Sequence, residues 1–306
     1  MLFPGALGDL CLAVPAWRAL RRRHPDARRT AVVSEPLRSL VAGAGLAETT
    51  ASLDGADAAW LFGASGPRPT WLDGEPVVYA WLGADDATLR ARLTAAAASV
   101  TWLRVERGAG DVHAAVAYVR ALGVADGGVS LQTEARLAIG ASLVADALVD
   151  RLPGALLAVH AGAGAHGKRW DPAGFVQVAH WWQATVGSVV EIAGPAEAEA
   201  PAFLGAPSAR DWPLVDLAAL LARATLYVGN DSGVSHLASA VGTPSVVMFG
   251  PTSARRWRPL GGAVTALQAR GSGPEGIALS ALPAARVIAA ARRRIALTRG
   301  DPNTTP

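Results

Sequence analysis

Residues 226–249, LYVGNDSGVSHLASAVGTPSVVMF, decide the fold. An apolar run (226–229) feeds the polar turn Asn230-Asp231-Ser232-Gly233. A helical period follows to about 241, and a second apolar run covers 245–249. Strand, turn, helix and strand in that order require a crossover connection, and hence a parallel sheet. The same pattern extends upstream. A strand at 156–160 leads through a glycine-rich turn to a helix over 172–185, where Asp171 followed by Pro172 is an N-cap with proline at the first helical position. A strand at 189–193, a short helix at 195–204 and a helix at 215–224 complete the half, and a final helix is expected at 282–297. The first half opens with LFPGALGD and a helix over 10–23, ended by His24-Pro25-Asp26. A strand at 30–34, a helix from Pro36, apolar runs at 58–62, 77–82 and 100–105, and a helix at 111–122 follow. The join is expected within 124–152, after the Gly127-Gly128 turn and before Pro153-Gly154. The fold class is therefore α/β, with two parallel-sheet domains, 1–150 and 151–306, facing a central cleft. Ligands of such sheets bind at the carboxyl ends of the strands, so the chemistry belongs in the turns that follow them.

Composition narrows the class. A chain of 306 residues is long enough for two domains of roughly 100–200 residues each. With 51% hydrophobic and 17% charged residues it is not a disordered chain. Much of the apolar content is alanine, and no stretch approaches the roughly 18 apolar residues of a spanning helix. The N-terminus has no basic residue ahead of its apolar part and carries Asp9 within it, unlike a secretory signal. The single cysteine, Cys11, excludes an intramolecular disulfide and suits a reducing compartment, so the expected location is cytoplasmic. A net charge of +3 does not call for a nucleic-acid partner. Of the 28 cationic residues, 27 are arginine, and Lys168 is the lone lysine. The two are not interchangeable where a compact point charge is wanted.

Three turns could carry chemistry. In Pro4-Gly5-Ala6-Leu7-Gly8-Asp9, two glycines permit a tight turn, and Asp9 is either a helix N-cap or a general base at the cleft. The loop 160–170, HAGAGAHGKRW, contains a formal G-x-G-x-x-G at Gly162, Gly164 and Gly167. It departs from the dinucleotide fingerprint because Lys168-Arg169-Trp170 separates the glycines from the helix, and Glu191 comes too late for the ribose acid. No Ser or Thr follows the lysine, so it is not a Walker loop either; it reads as a phosphate cradle with Lys168 as point charge. In the third turn a strand runs into Asp231-Ser232-Gly233 at a helix N-terminus, a ready anion site, with Ser232 and His236 on one helical face. His236 reads equally as a satisfied surface histidine. No spacing of His, Cys, Asp and Glu resembles a closed zinc site. Arginine runs at 18–23 and 286–299 are solvated faces or attractors for an acidic substrate or an anionic lipid surface.

The segments GALGDLCLAVPAWRALRRRHPDA (5–27), AGAGAHGKRWDPAGFVQVA (161–179) and VGNDSGVSHLASAVGTPSVVMFGPTSARRW (228–257) resemble the heptosyltransferases of glycosyltransferase family 9. DVHAAVAYVRALGV (111–124) is similar to a helix of the same family. The resemblance implies a GT-B fold of two Rossmann-like domains, the acceptor mainly on the first and the nucleotide-sugar mainly on the second. It implies inverting transfer, typically of heptose from ADP-heptose, to a lipopolysaccharide-core acceptor that is an acidic glycolipid, with peripheral membrane contact and neither cofactor nor metal. On matching positions it implies Asp9 as catalytic base and Lys168 as a donor-phosphate contact. Asp231, Ser232, Gly233 and His236 become the diphosphate turn, and Gly164 part of the phosphate loop. Glu197, in Gly194-Pro195-Ala196-Glu197, holds the ribose, with Glu199 as its alternative. Where the family has a longer apolar strand, only Met1-Leu2-Phe3 precede Pro4, so the first strand is expected to be short, whether its start lies upstream or its end is lost. A transfer-inactive nucleotide- or partner-binding protein is the second functional reading, and an NAD-linked oxidoreductase the third.

Overall fold

The computed structural model describes residues 1–63, 65–105, 112–124, 130–197, 201–269 and 278–299. In the first half, β1 (Thr30–Val33) pairs in parallel with β2 (Thr49–Ser52), and β3 (Val77–Ala80) with β4 (Ser99–Trp102). A single residue joins the two ribbons: Leu2 bridges Val32 on one side and Ala80 on the other, both in parallel. At this seam Leu2 N–H donates to Tyr79 O and Phe3 N–H to Val32 O, both at 2.9 Å, and Trp81 N–H donates to Leu2 O at 2.9 Å. The short first strand expected from the sequence is thus reduced to one bridging residue. The Leu2 side chain compensates by lying in an apolar cluster with Val32, Leu61, Leu72, Val78 and Leu89.

The second half holds one six-stranded, wholly parallel sheet. Its strands are β5 (Ala155–His160), β6 (Gly187–Ala193), β7 (Ser208–Arg210), β8 (Leu226–Asn230), β9 (Ser245–Phe249) and β10 (Val264–Gln268). Their spatial order is β10-β9-β8-β5-β6-β7. The direction of winding reverses between β5 and β8, which makes that crevice the switch point where ligands of such sheets bind. β5, β8 and β9 are buried almost throughout because helices cover both faces, hence their unbroken apolar runs.

Some expected elements differ. β2, β7 and β10 are additional strands, and the apolar run at 58–62 is helical, in Ala56–Ala59 and Trp60–Phe62. Of the short helix expected at 195–204, only Pro195–Glu197 is helical, 201–204 is not, and 198–200 lie outside the described residues. Asp111, Gly127-Gly128 and the 301–306 tail also lie outside them. The terminal helix spans Ala284–Arg299 rather than 282–297. The first helix begins at Leu7, so Asp9 sits inside its first turn and Ala6 takes the capping position. The N-cap reading of Asp9 gives way for that reason.

The halves are not separate beads. The helix Leu7–Arg23 packs against both Ala114–Ala121 and Gly233–Ala240. One apolar cluster runs from Phe3, Leu10 and Trp17 through Leu156 and Ala158 to Leu237 and Phe249. Phe3 is its aromatic centre, edge-on to Trp17 at 5.6 Å and to Trp81 at 5.8 Å. Each fully buried large apolar side chain in such a cluster stabilises the fold by roughly 1.5–3 kcal/mol. Cys11 belongs to it, and burial pushes its thiol up to about 12. Three arginines of the first helix, though largely exposed, reach across to the end of the first half and the connecting segment: Arg22 holds Glu134 at 2.9 and 3.0 Å, Arg23 reaches Leu122 O at 3.0 Å, and Arg18 reaches the carbonyls of Thr133 and Arg136. Among the described residues no helix is long and apolar enough to cross a membrane.

Candidate active site

Two glycines place the site. A Cβ on Gly8 would lie 3.1 Å from His236 Cδ2 and 3.6 Å from Gly233 Cα, and a Cβ on Gly233 would lie 3.0 Å from Leu7 Cβ and 3.3 Å from Gly8 N. The first turns of two helices, one from each half, therefore touch backbone to backbone. Side chains larger than hydrogen at these positions would wedge them apart. This contact brings Asp9 to the third turn. The half-buried Asp9 accepts at Oδ1 a hydrogen bond of 3.1 Å from the hydroxyl of Tyr118, a buried residue of the helix Ala114–Ala121. Its Oδ2 accepts no hydrogen bond from the described residues, so the carboxylate is oriented through one oxygen alone.

At the end of β8, the fully buried Asn230 fastens the glycine-rich loop at both its ends. Its Oδ1 accepts from Trp170 N–H at 3.0 Å, and its Nδ2 donates to Ala161 O at 2.7 Å. The loop's last turn, His166–Lys168, then delivers the lysine. Lys168 Nζ lies 2.8 Å from Asp231 Oδ2, and the Thr252 hydroxyl donates to the same oxygen at 2.5 Å. Asp231 is buried while the lysine side chain is 30% exposed, so the carboxylate anchors the ammonium and leaves it facing the cleft. A carboxylate aimed at a diphosphate would repel it; one that holds a lysine in place does not. Ser232, at the capping position of the helix Gly233–Ala240, makes no side-chain cap. Its hydroxyl lies instead 3.2 Å from His160 Nδ1, and the first amides of the helix keep their anion-binding capacity.

His236 is buried, contrary to the surface reading. Burial lowers its pKa to about 4; Asp231 and Asp9 oppose the shift, while His113 and Lys168 reinforce it. One neutral imidazole thus sits in the combined field of Asp9, Asp231 and Lys168, and its Nδ1 has no partner among the described residues. His160 is likewise held neutral, at about 4, by burial and then by Arg169.

Glu197 closes the other end. A Cβ on Gly162 would come within 2.6 Å of its carboxyl carbon, so only glycine admits the acid there. Its oxygens lie 3.4 Å from Arg169 Nη2 and 3.9 Å from His160 Nε2. They border a cavity of about 470 Å³ lined also by Trp170, Ile192, Phe203 and Arg210, a volume suited to a nucleoside. Glu191, on its floor, is a buried partner of Arg210 at 3.0 Å and accepts the amides of Phe203 and Leu204 at 3.1 Å each. Gly164 is exposed, with open space where a Cβ would stand. Glu199 lies outside the described residues. Tyr118, Thr252 and His160 are partners the sequence did not announce, because each reaches its target across the fold. Tyr118 and Asp9 are 109 residues apart. Among the described residues no three of His, Cys, Asp and Glu gather as a metal cage would require.

Two parallel α/β sheets, with a strand-turn-helix anion cradle on one opposed by a helix-borne carboxylate from the other, make up a GT-B-like architecture. Residues 128–275, a little under half of the chain, match the profile of glycosyltransferase family 9 (heptosyltransferase) and so carry a glycosyltransferase domain. Among solved structures, the chain is similar to a glycosyl transferase of family 9 from Veillonella parvula, with 20% identity, TM-score 0.73 and 96% of each chain covered. It is similar to the E. coli ADP-heptose lps heptosyltransferase II at 16% identity and TM-score 0.75, covering 97% of this chain and 99% of that one. It is also similar to E. coli heptosyltransferase WaaC with ADP, at 18% identity and TM-score 0.66, covering 96% and 98%. At these identities the likeness is one of fold. No curated protein matches the chain in sequence.

Proposed function

We propose that this glycosyltransferase moves a heptose from ADP-heptose to a lipopolysaccharide-core-type acceptor, an acidic glycolipid, with inversion at the anomeric carbon. The observation that carries the reading is the Gly8–Gly233 contact, which sets a carboxylate from one half against a cationic, amide-lined turn from the other. In a single displacement the acceptor hydroxyl oxygen bonds to the anomeric carbon as its proton passes to Asp9 Oδ2, and the bond to the nucleotide diphosphate breaks with its electron pair. The departing charge falls on Lys168 and on the amides at the start of Gly233–Ala240, donors fixed before the reaction begins. Neutral His236 supplies one N–H there rather than a cation. Glu197 accepts from the ribose hydroxyls, with Gly164 part of the loop over the phosphates. Asp231 acts through Lys168. Because donor and acceptor are held on opposite walls, orientation contributes as well. The reaction is placed in the cytoplasm, at the periphery of the membrane that carries the acceptor.

A thermal-shift screen across nucleotide-sugars tests the donor assignment, since a ligand bound only by the folded form raises its melting temperature. ADP and ADP-heptose should stabilise the protein, and UDP- and GDP-sugars should not. A shift with NADH in their place would sink the reading. Binding of ADP-heptose with no transfer to any core acceptor would make the protein a nucleotide-binding relative without the activity.

Tyr118 supplies a second check. Removing its hydroxyl in Tyr118→Phe loses one hydrogen bond to the base, about 1 kcal/mol, so kcat should fall about fivefold while ADP affinity stays unchanged. An unaltered kcat would mean that the bond does not orient Asp9.

A further inference from the structure

A second cavity, of about 450 Å³, lies where the halves meet, lined by His113 and Gln132 from the first half and the connecting segment and by Arg255, Arg258 and Leu260 from the second. Among the described residues no acidic side chain lines it. Its walls are tied together across the chain: His113 Nε2–H donates to Arg258 O at 2.8 Å, and Gly261 N–H donates to Gln132 Oε1 at 2.9 Å. The imidazole is fixed in that tautomer because its Nδ1 accepts Ala115 N–H at 3.3 Å, and burial lowers its pKa. Arg255 and Arg258 are exposed at the cavity, and behind it Arg294 is held by the Thr265 hydroxyl. Arg258 and Arg294 have no carboxylate partner among the described residues, and the field of Arg258 helps to lower the pKa of Arg294. Guanidiniums such as those of Arg258 and Arg294, with no carboxylate between them among the described residues, repel one another unless an anion joins them, and their planar forks match phosphate or carboxylate oxygens in pairs. The cavity also belongs to the cleft. His113 contributes to the field at His236, and it opens the helix whose Tyr118 holds Asp9.

We propose that this pocket binds an oxyanion, a phosphate or a carboxylate, with Arg258 as its principal ligand and Arg255 beside it. On the reading of Asp9 as acceptor-side base, on which this step rests, the oxyanion is borne by the acceptor and sets which hydroxyl faces Asp9. A concave site with a wall from each half fits a charged group on a sugar better than the plane of a membrane.

The test uses the intact protein saturated with ADP, so that the donor turn is occupied, and inorganic phosphate as the probe. Phosphate should raise the melting temperature beyond what chloride does at matched ionic strength, and Arg258→Gln should weaken the phosphate response about tenfold. ADP affinity in Arg258→Gln should equal that of the wild type, which shows that the variant is folded. An equal response to chloride, or an equal phosphate response in Arg258→Gln, overturns the pocket. A parallel arm sediments the protein with phosphatidylglycerol vesicles. If Arg258→Gln reduces sedimentation but leaves the phosphate response unchanged, the arginine faces a lipid surface and the proposal fails. Should ADP not bind the wild type, the donor reading falls by itself, and the comparison of wild type with Arg258→Gln is then made on nucleotide-free protein.

Discussion

Asp9→Asn should reduce transfer by about 10²–10⁴-fold, the usual contribution of a positioned general base, with ADP affinity and melting temperature unchanged. The substitution isolates chemistry from structure. Asparagine has the same shape, and its amide oxygen can still accept the Tyr118 hydroxyl that the carboxylate accepts at 3.1 Å. Asp9 is half-buried and carries no ion pair among the described residues, so none of their cations is left alone when its charge goes. On the proposed mechanism, what is lost is the group that takes the proton from the acceptor hydroxyl. Residual turnover would measure what orientation and the cationic turn contribute without a base. Full turnover in Asp9→Asn would end the assignment, whatever else about the cleft stood.

Lys168→Ala should weaken ADP binding by roughly 1.5–3 kcal/mol, about 10- to 150-fold, the size of a charge-assisted hydrogen bond. Calorimetry reads it directly. The substitution also strips Asp231 of its cation and leaves the buried carboxylate with the Thr252 hydroxyl. Because the lysine is 30% exposed, water screens the pair, and the accompanying loss of stability should be about 1 kcal/mol. Adding Asp231→Asn separates the two effects. The double variant should regain stability, since no buried charge is left unpaired, and should not regain affinity, since the ammonium is still missing. If affinity returned with stability, Lys168 would be a structural counter-ion and the diphosphate would be held by helix amides alone. Lys168→Arg should not restore binding, because a planar fork cannot replace a point charge 2.8 Å from Asp231 inside a closed loop.

The second half was legible in sequence because its central strands are buried on both faces and punctuated by residues with a mechanism. Asp171-Pro172 starts a helix, and Asn230-Asp231-Ser232-Gly233 turns a strand into one. The strands that escaped notice lie at sheet edges: TTAS in β2 is half-buried throughout, SAR in β7 is three residues long, and VTALQ in β10 is buried at only two of its five residues. Edge positions need no apolar run, so periodicity says little there. Within the site, residues that belong to a local turn could be read, and those that reach it from elsewhere could not. Asp231 illustrates the limit. The sequence places it in an anion-binding turn, yet only the fold shows that its carboxylate faces Lys168 rather than the anion. The compositional oddity of a lone lysine is sharpened in the same way, since that ammonium is the cation bound to the buried acid of the turn.

The seam at Leu2 has a mechanical consequence. Two ribbons fastened through one residue behave less like a board than like two planks riveted at a point, and their easiest relative motion is shear about the rivet. Seven residues farther along stands Asp9, connected to the rivet by Phe3, Pro4 and a turn with two glycines. Asp9 therefore stands, in chain, next to the narrowest joint of the first half, while Lys168 stands beside a continuous six-stranded sheet. On the proposed mechanism, compliance that admits a bulky acceptor would then be concentrated on the side of Asp9, and the side of Lys168 would serve as the anvil.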